Sequence, residues 1–232
     1  MRILNLADEE LMSLWDYYVP GRLKEYDLIL SAGDLKASYL SFIVTMARAP
    51  VLYVHGNHDT RYATAPPEGC DSIDGQIVEY QGLRILGLGG CVWYRPGDHQ
   101  YTEKEMRKRI RKLRWKIAKY GGVDIIVTHA PPKGVGDSDD YAHRGFECFL
   151  ELIDTYQPRY LFHGHVHMSY GQDKTREREY HGTKVINVCE KFVLDIPKEE
   201  IGNWKKPNLI ERIKFFLNPR GSKAKCSKIH NT

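Results

Sequence analysis

The sequence predicts an α/β protein whose strands are buried on both faces, and three observations carry that prediction. Five short runs, "RILNLA", "YDLILSAG", "VLYVHG", "VDIIVTH" and "PRYLFHGH", are nearly continuous in Ile, Leu, Val and Tyr. Stretches with helical spacing or turn residues separate them. Each of the five ends in, or is followed at once by, Asp, Asn or His.

Taken in order, the first run crosses Ile3 to Ala7 and stops at three carboxylates, Asp8, Glu9 and Glu10. Carboxylates at the tip of a buried strand are costly to desolvate unless a cation compensates them. The second run leads into Gly33-Asp34 and the third into Gly56-Asn57. A further set, "QIVEY", "LRILGLGG", "TKVINV" and "KFVLDI", reads as strands joined by short turns such as "YQGLR". These are expected to form a second, more antiparallel region of sheet. Residues 102 to about 119 predict a helix. Thr102 and Glu105 have capping-box spacing, Met106, Ile110, Leu113 and Ile117 form an apolar stripe, and Gly121-Gly122 end it. The fourth run ends at His129, a second helix is expected from about Phe146 to Tyr156, and the fifth run leads into His165 and His167. A short amphipathic helix is expected from Asn208 to Leu217. The division is therefore one domain over 1–200, then an amphipathic helix and basic tail over 201–232.

At 232 residues the chain is long enough for one sizeable core. Its five cysteines are odd in number and contain no C-x-x-C pair, which argues against a disulfide framework and against a zinc ribbon. No apolar run approaches the roughly 20 residues that span a bilayer, and the N-terminus enters a strand pattern at once; a cytoplasmic location is the expectation. The net charge of +4 is concentrated in "EKEMRKRIRKLRWKIAKY" and in the tail "RGSKAKCSKIHNT".

The polar residues after the strands form the candidate site. In open α/β sheets ligands bind at the carboxyl ends of strands, so the fold should gather Asp8, Asp34, Asn57, His129, His165 and His167 from distant parts of the chain. In an extended "GHVH", His165 and His167 point to the same side, as a shared metal site needs.

The blocks "GD" at 33–34, "GNHD" at 56–59, "THAPP" at 128–132 and "GHVH" at 164–167, in that order, resemble the calcineurin-like metallophosphoesterases over about residues 1–195. The resemblance implies a four-layer α/β/β/α sandwich with two metal ions at the strand tips, and hydrolysis of a phosphate ester. It implies that Asp34 bridges the metals, that Asn57, His129 and His165 complete one site, and that Asp8 and His167 hold the other. The family's first block is D-x-H, and here position 10 is Glu10. Glu10 at that spacing is expected to replace the histidine, giving an oxygen-rich site that suits Mn²⁺, Mg²⁺ or Fe²⁺ better than Zn²⁺, with Mn²⁺ favoured and a more alkaline pH optimum. Two other readings stand beside it: Glu9 ligates with Glu10 turned away, or both are first-turn carboxylates and the site is vacant.

Two such cations hold a phosphate by two oxygens and generate a bridging hydroxide for in-line attack. His58 is the expected leaving-group acid, with Asp59 orienting it or raising its pKa. The segment "PPKGVGDSDDYAHRG" is expected to form the rim, where Lys133, Asp137, His143 and Arg144 face the substrate, Arg144 being the best phosphate partner by geometry. The order of blocks resembles the phosphodiesterase-type branch, which slightly favours a small-molecule diester. A nuclease using the basic helix 104–119 is the first alternative, less favoured. A non-catalytic binder of a phospho-ligand or protein is the second. The sequence leaves the oligomeric state open.

Overall fold

The computed structural model describes residues 1–168 and 175–202. The expected helix at 208–217 lies outside the described residues. In chain order the elements are β1 Arg2–Ala7, β2 Leu28–Ser31, α1 Ala37–Met46, β3 Val51–Tyr53 and β4 Asp71–Ser72. There follow β5 Gln76–Tyr80, β6 Leu83–Leu88, β7 Cys91–Val92, β8 Gln100–Tyr101 and α2 Glu103–Tyr120. The last are β9 Ile125–Thr128, α3 Glu147–Tyr156, β10 Tyr160–His163, β11 Glu177–Tyr180, β12 Thr183–Asn187 and β13 Glu190–Asp195.

Strand periodicity builds the layers. Along β1, Ile3 and Ala7 pack into a core between two sheets, while Leu4 and Leu6 pack outward against Tyr39, Leu40 and Ile43 of α1. Along β9 and β10, Ile125, Val127, Tyr160 and Phe162 enter the same central core, and Ile126 and Leu161 face α2 and α3. These central strands are apolar on both sides because each sheet has a core on both faces. Three apolar clusters thus separate four layers, α/β/β/α, as the resemblance implies.

The first sheet runs β13-β1-β2-β3-β4 and the second β11-β12-β10-β9-β6-β5, with β7-β8 a short separate ribbon. The sheets depart from the sequence pattern in one respect. The strands "QIVEY", "LRILGLGG", "TKVINV" and "KFVLDI" do not form a separate antiparallel region. β6 pairs parallel with β9, β12 pairs parallel with β10, and β13 pairs antiparallel with β1 in the other sheet. Sheet membership is set by partners far away in sequence, so a run's neighbours along the chain do not reveal it. Each sheet is parallel at its centre, which brings the carboxyl ends of β1, β2, β3, β9, β10 and β12 to one edge of the sandwich.

α2 forms as expected. The Thr102 hydroxyl accepts the Glu105 N–H at 3.3 Å, the Glu105 carboxylate accepts the Thr102 N–H at 2.8 Å, and Gly121 ends the helix at φ 76°. The turn at Gln81-Gly82 takes positive φ at both residues, joining β5 to β6 as a tight hairpin. No described helix is long and apolar enough to cross a membrane.

Candidate metal centre

The polar strand ends meet because the backbone is bent to bring them together. Asp8 (φ 63°), Asp34 (φ 57°) and His165 (φ 69°) are all in the left-handed region, where non-glycine residues are strained by roughly 1–2 kcal/mol each. The Glu9 N–H donates to the Ala7 carbonyl at 2.6 Å and the Val166 N–H to the Gly164 carbonyl at 2.9 Å, so Asp8 and His165 are each the centre of a γ-turn. The two turns are joined by the His165 N–H, which donates to Asp8 Oδ1 at 2.9 Å.

The "GD" and "GNHD" blocks are clamped in the same way. Asp59 Oδ2 accepts the N–H of Gly56 at 2.7 Å and of Asp34 at 2.9 Å, and the His58 N–H donates to Asp34 Oδ1 at 2.8 Å. A Cβ on Gly33 would lie 2.8 Å from the His55 carbonyl carbon, so this crossing needs glycine. Asp59 is therefore placed beneath the site against two amides, and its described hydrogen bonds do not go to His58.

One cluster is Asp34, His129 and His165, whose ligand atoms lie within 4.8 Å of one another. His129 is fully buried; its Nδ1 meets the Ala32 carbonyl at 2.8 Å, which fixes the ring so that Nε2 faces Asp34 Oδ2 at 3.2 Å and Asn57 Oδ1 at 3.0 Å. The Asn57 amide nitrogen donates to the Tyr94 hydroxyl at 3.4 Å, which leaves its oxygen toward His129.

A second cluster is Glu9, His167 and Cys189, again within 4.8 Å of one another, with His167 Nδ1 3.0 Å from Glu9 Oε1. Glu10, expected at the metal by its spacing, is not brought there. Its oxygens take the Lys36 N–H at 3.1 Å and the Lys36 Nζ at 2.8 Å, at the start of α1. The γ-turn at Asp8 explains the exchange. The D-x-E spacing presumes an extended chain, and the turn swings Glu9 rather than Glu10 toward His167. Likewise His165 and His167 do not share a site as an extended "GHVH" requires. The turn at His165 sends the two rings to different clusters.

Burial and neighbouring charge set the ionisation of these groups. Burial pushes the Asp8 carboxyl up to about 6 and Asp59, further raised by Asp34, up to about 7. Burial also opposes ionisation of Asp34 and His129, but their mutual attraction outweighs it, holding Asp34 well below the carboxylate range and raising His129 to about 9. Burial and repulsion from His129 lower His165 to about 3. Asp8 Oδ2 is buried with no hydrogen-bond partner. An orphaned carboxylate oxygen, convergent His and Asp atoms and two strained turns make up a donor set that fits divalent cations.

The remaining predicted residues sit at the mouth. His58 is exposed, next to the buried Asn57, as the turn geometry predicts. His143 lies with its ring 5.0 Å from that of His165, and its Nδ1 is held by the Asp140 carboxylate at 2.8 Å. Arg144 lies over the Tyr141 ring at 4.2 Å and donates to the Tyr141 carbonyl. Lys133 is paired with Glu147 at 2.6 Å, on the outside of the rim. Beside His167 a cavity of about 380 Å³ is lined by Asp137, Ser138, His163, Arg176 and Asn187.

Two site residues escape the sequence reading, Asn187 and Cys189. Asn187 donates to the Val166 carbonyl at 2.7 Å and accepts the Cys189 N–H at 2.9 Å, so it supports both the His167 loop and the Cys189 loop. A signal exists in "NVC", a polar strand end like the others. It is hidden because the sequence pattern assigns β12 to a separate sheet region.

The sequence profile described as calcineurin-like phosphoesterase matches residues 7–169. Among curated proteins, metallophosphoesterase domain-containing protein 1 of Homo sapiens is 27% identical over 137 residues, covering 55% of this chain and 40% of that protein. A UPF0046 protein of Caenorhabditis elegans is 26% identical over 139 residues, 55% of this chain and 47% of its own length. An uncharacterized protein of Haemophilus influenzae is 25% identical over 177 residues, 61% of this chain and 73% of its own length. The match thus spans less than half of the human and nematode relatives. The solved structure of TT1561 of Thermus thermophilus superposes with a TM-score of 0.53 at 16% identity, covering 82% of this chain and 89% of that one. That likeness shows a shared fold.

Proposed function

The chain belongs to the calcineurin-like phosphoesterase family, and from that premise we propose that it hydrolyses a small phosphate ester, a diester slightly favoured, at a pair of divalent cations. The observation that carries this reading is the orphaned Asp8 Oδ2 together with two His-containing clusters, in each of which the ligand atoms lie within 4.8 Å of one another. Asp34, Asn57, His129 and His165 would hold one cation, and Asp8, Asp34 and His167 the other. Cations held there would supply charge neutralisation at the phosphate and activation of a water.

The protein's own groups do the rest. The Ala32 carbonyl and the Tyr94 hydroxyl orient His129 and Asn57, and Asp59, through the Gly56 and Asp34 amides, positions the Asp34 carboxylate. His58 is exposed at the mouth while its N–H steadies Asp34, so its ring is available to donate a proton to the departing oxygen. The Asp140 carboxylate orients His143 beside His165 as a second group facing the phosphate. The polar cavity beside His167 offers the leaving group a place lined by Ser138, Arg176 and Asn187.

The test is turnover of matched phosphodiesters and monoesters by metal-stripped protein after separate return of Mn²⁺, Mg²⁺ or Zn²⁺. Activity restored by a divalent cation is expected. His58→Ala should lose roughly 10²- to 10⁴-fold on alkyl leaving groups and far less on nitrophenolate, which departs without a proton. Folded protein that turns over neither ester with any metal overturns the hydrolase reading, and a loss independent of leaving group overturns the role of His58.

A second reading, a phosphoesterase acting on nucleic acid, is favoured by one observation. On α2, Lys104, Lys108, Arg111, Lys112, Lys116 and Lys119 are exposed on one face around Trp115, itself 70% exposed. Cations around an exposed aromatic are the elements that single-stranded nucleic acid binds.

A further inference from the structure

The described cysteines that are fully enclosed do not share one environment. Cys91 and Cys148 belong to the apolar cluster under α2 and α3, where a buried cysteine serves as a small apolar side chain. Cys189 is equally inaccessible but belongs to none of the three apolar clusters. It faces Glu9 and His167 instead, with the ligand atoms of all three within 4.8 Å of one another.

The backbone is built to keep it there. Cys189 bridges to Ala7 at the tip of β1, so its loop is tied directly to the strand that ends in Asp8. Its N–H donates to Asn187 Oδ1 at 2.9 Å, and Arg176 Nη1 donates to its carbonyl at 3.0 Å. Glu190 follows at φ 63°, reversing the chain into β13. Meanwhile Glu10 is committed through both oxygens to Lys36.

We infer that Cys189 is a sulfur ligand of the cation held by Asp8 and His167, and that Glu9 rather than Glu10 supplies the additional carboxylate. This rests on the metal-dependent reading above and changes its chemistry. Oxygen-rich ligation by Glu10 favours Mn²⁺ or Mg²⁺, whereas a thiolate added to the imidazole and the carboxylates of Asp8, Asp34 and Glu9 shifts preference toward thiophilic cations such as Zn²⁺, Co²⁺ or Fe²⁺. On binding, the thiol proton leaves to solvent and the sulfur lone pair is donated to the cation.

The test is Co²⁺ titration of the metal-stripped full chain, followed by absorption. A sulfur-to-cobalt charge-transfer band in the near ultraviolet is expected in the parent, in Cys91→Ser and in Cys148→Ser, and is expected to vanish in Cys189→Ser. Glu9→Gln should weaken uptake at that position by roughly 10- to 100-fold, while Glu10→Gln leaves it unchanged. X-ray absorption of the zinc-loaded parent needs no variant and should show a sulfur shell near 2.3 Å, so the inference stays open to refutation even if Cys189→Ser fails to fold. A cobalt-loaded parent without the band, or a zinc-loaded parent with nitrogen and oxygen neighbours only, overturns it. The hydrolase reading fails separately. Ester turnover without a sulfur signature refutes the thiolate alone, and a sulfur signature without turnover refutes the hydrolase alone.

Discussion

Gly56→Ala tests the geometry on which the whole site depends. A Cβ at position 56 would stand 2.5 Å from the Asp34 amide nitrogen, and closer still to the Asp34 carboxylate. Ordinary contact begins at 3.4 Å, so the "GD" and "GNHD" blocks must part by about 0.9 Å. Metal ligands tolerate errors of only about 0.2 Å, and misplacement of about 1 Å commonly costs about 10²-fold in rate. Asp34 is the carboxylate common to both proposed cation positions, so both should weaken together. The overpacking itself should cost about 2 kcal/mol, which for a domain of this size lowers Tm by roughly 4–8 °C. The control is Gly182→Ala, at φ 84° with nothing within 4 Å, which should cost only the backbone strain of about 1 kcal/mol and leave the site intact. Metal content by elemental analysis, ester turnover and thermal melting together decide it. A folded Gly56→Ala protein with full metal content and turnover within a few-fold of the parent refutes the argument that these two loops are in contact through glycine alone.

Acid should reveal a second buried group. Burial lowers His163 from 6.5 to about 4, so above pH 6.5 it is neutral folded or unfolded and contributes nothing; below that the unfolded chain takes a proton that the folded one refuses, and stability falls until about pH 4. Between pH 7.5 and pH 5 this amounts to about 2 kcal/mol, and urea unfolding of metal-stripped His163→Gln should lack that part of the pH dependence, parallel curves being the refuting result. If α2 binds single-stranded nucleic acid, four phosphate contacts predict a slope near −3 in log affinity against log salt, and Trp115→Ala should weaken binding by roughly 1–3 kcal/mol. A flat salt response removes that reading.

The fold was legible wherever the signal was local. The ends of the strands, the cap at Thr102 and the turn at Gln81-Gly82 all depend on neighbouring residues, and the structure has them. Sheet membership was less legible because it depends on distant pairing, as when β13 pairs along β1 from Arg2↔Asp195 to Ala7↔Glu190. The convergence of Asp34, Asn57, His129 and His165 could be read because polar residues at the ends of parallel strands must meet. The choice between Glu9 and Glu10 could not be read from spacing. It depends on the φ of Asp8, and a positive φ at a non-glycine residue leaves no mark in composition or periodicity.

That unreadable feature is also where the site's cost is concentrated. Asp8, Asp34 and His165 are the strained residues among the proposed ligands, and the carboxyls of Asp8 and Asp59 are raised because burial and like charge oppose their ionisation. A fold that needed only stability would place glycine or asparagine at such strand tips and lose no apolar packing, since the three apolar clusters account for the layers without these residues. Divalent cations turn the same arrangement from a cost into a favourable interaction, because clustered carboxylates then face positive charge instead of one another. The strain and the like-charge crowding are therefore best explained together, as one device for holding cations at the edge where two sheets end.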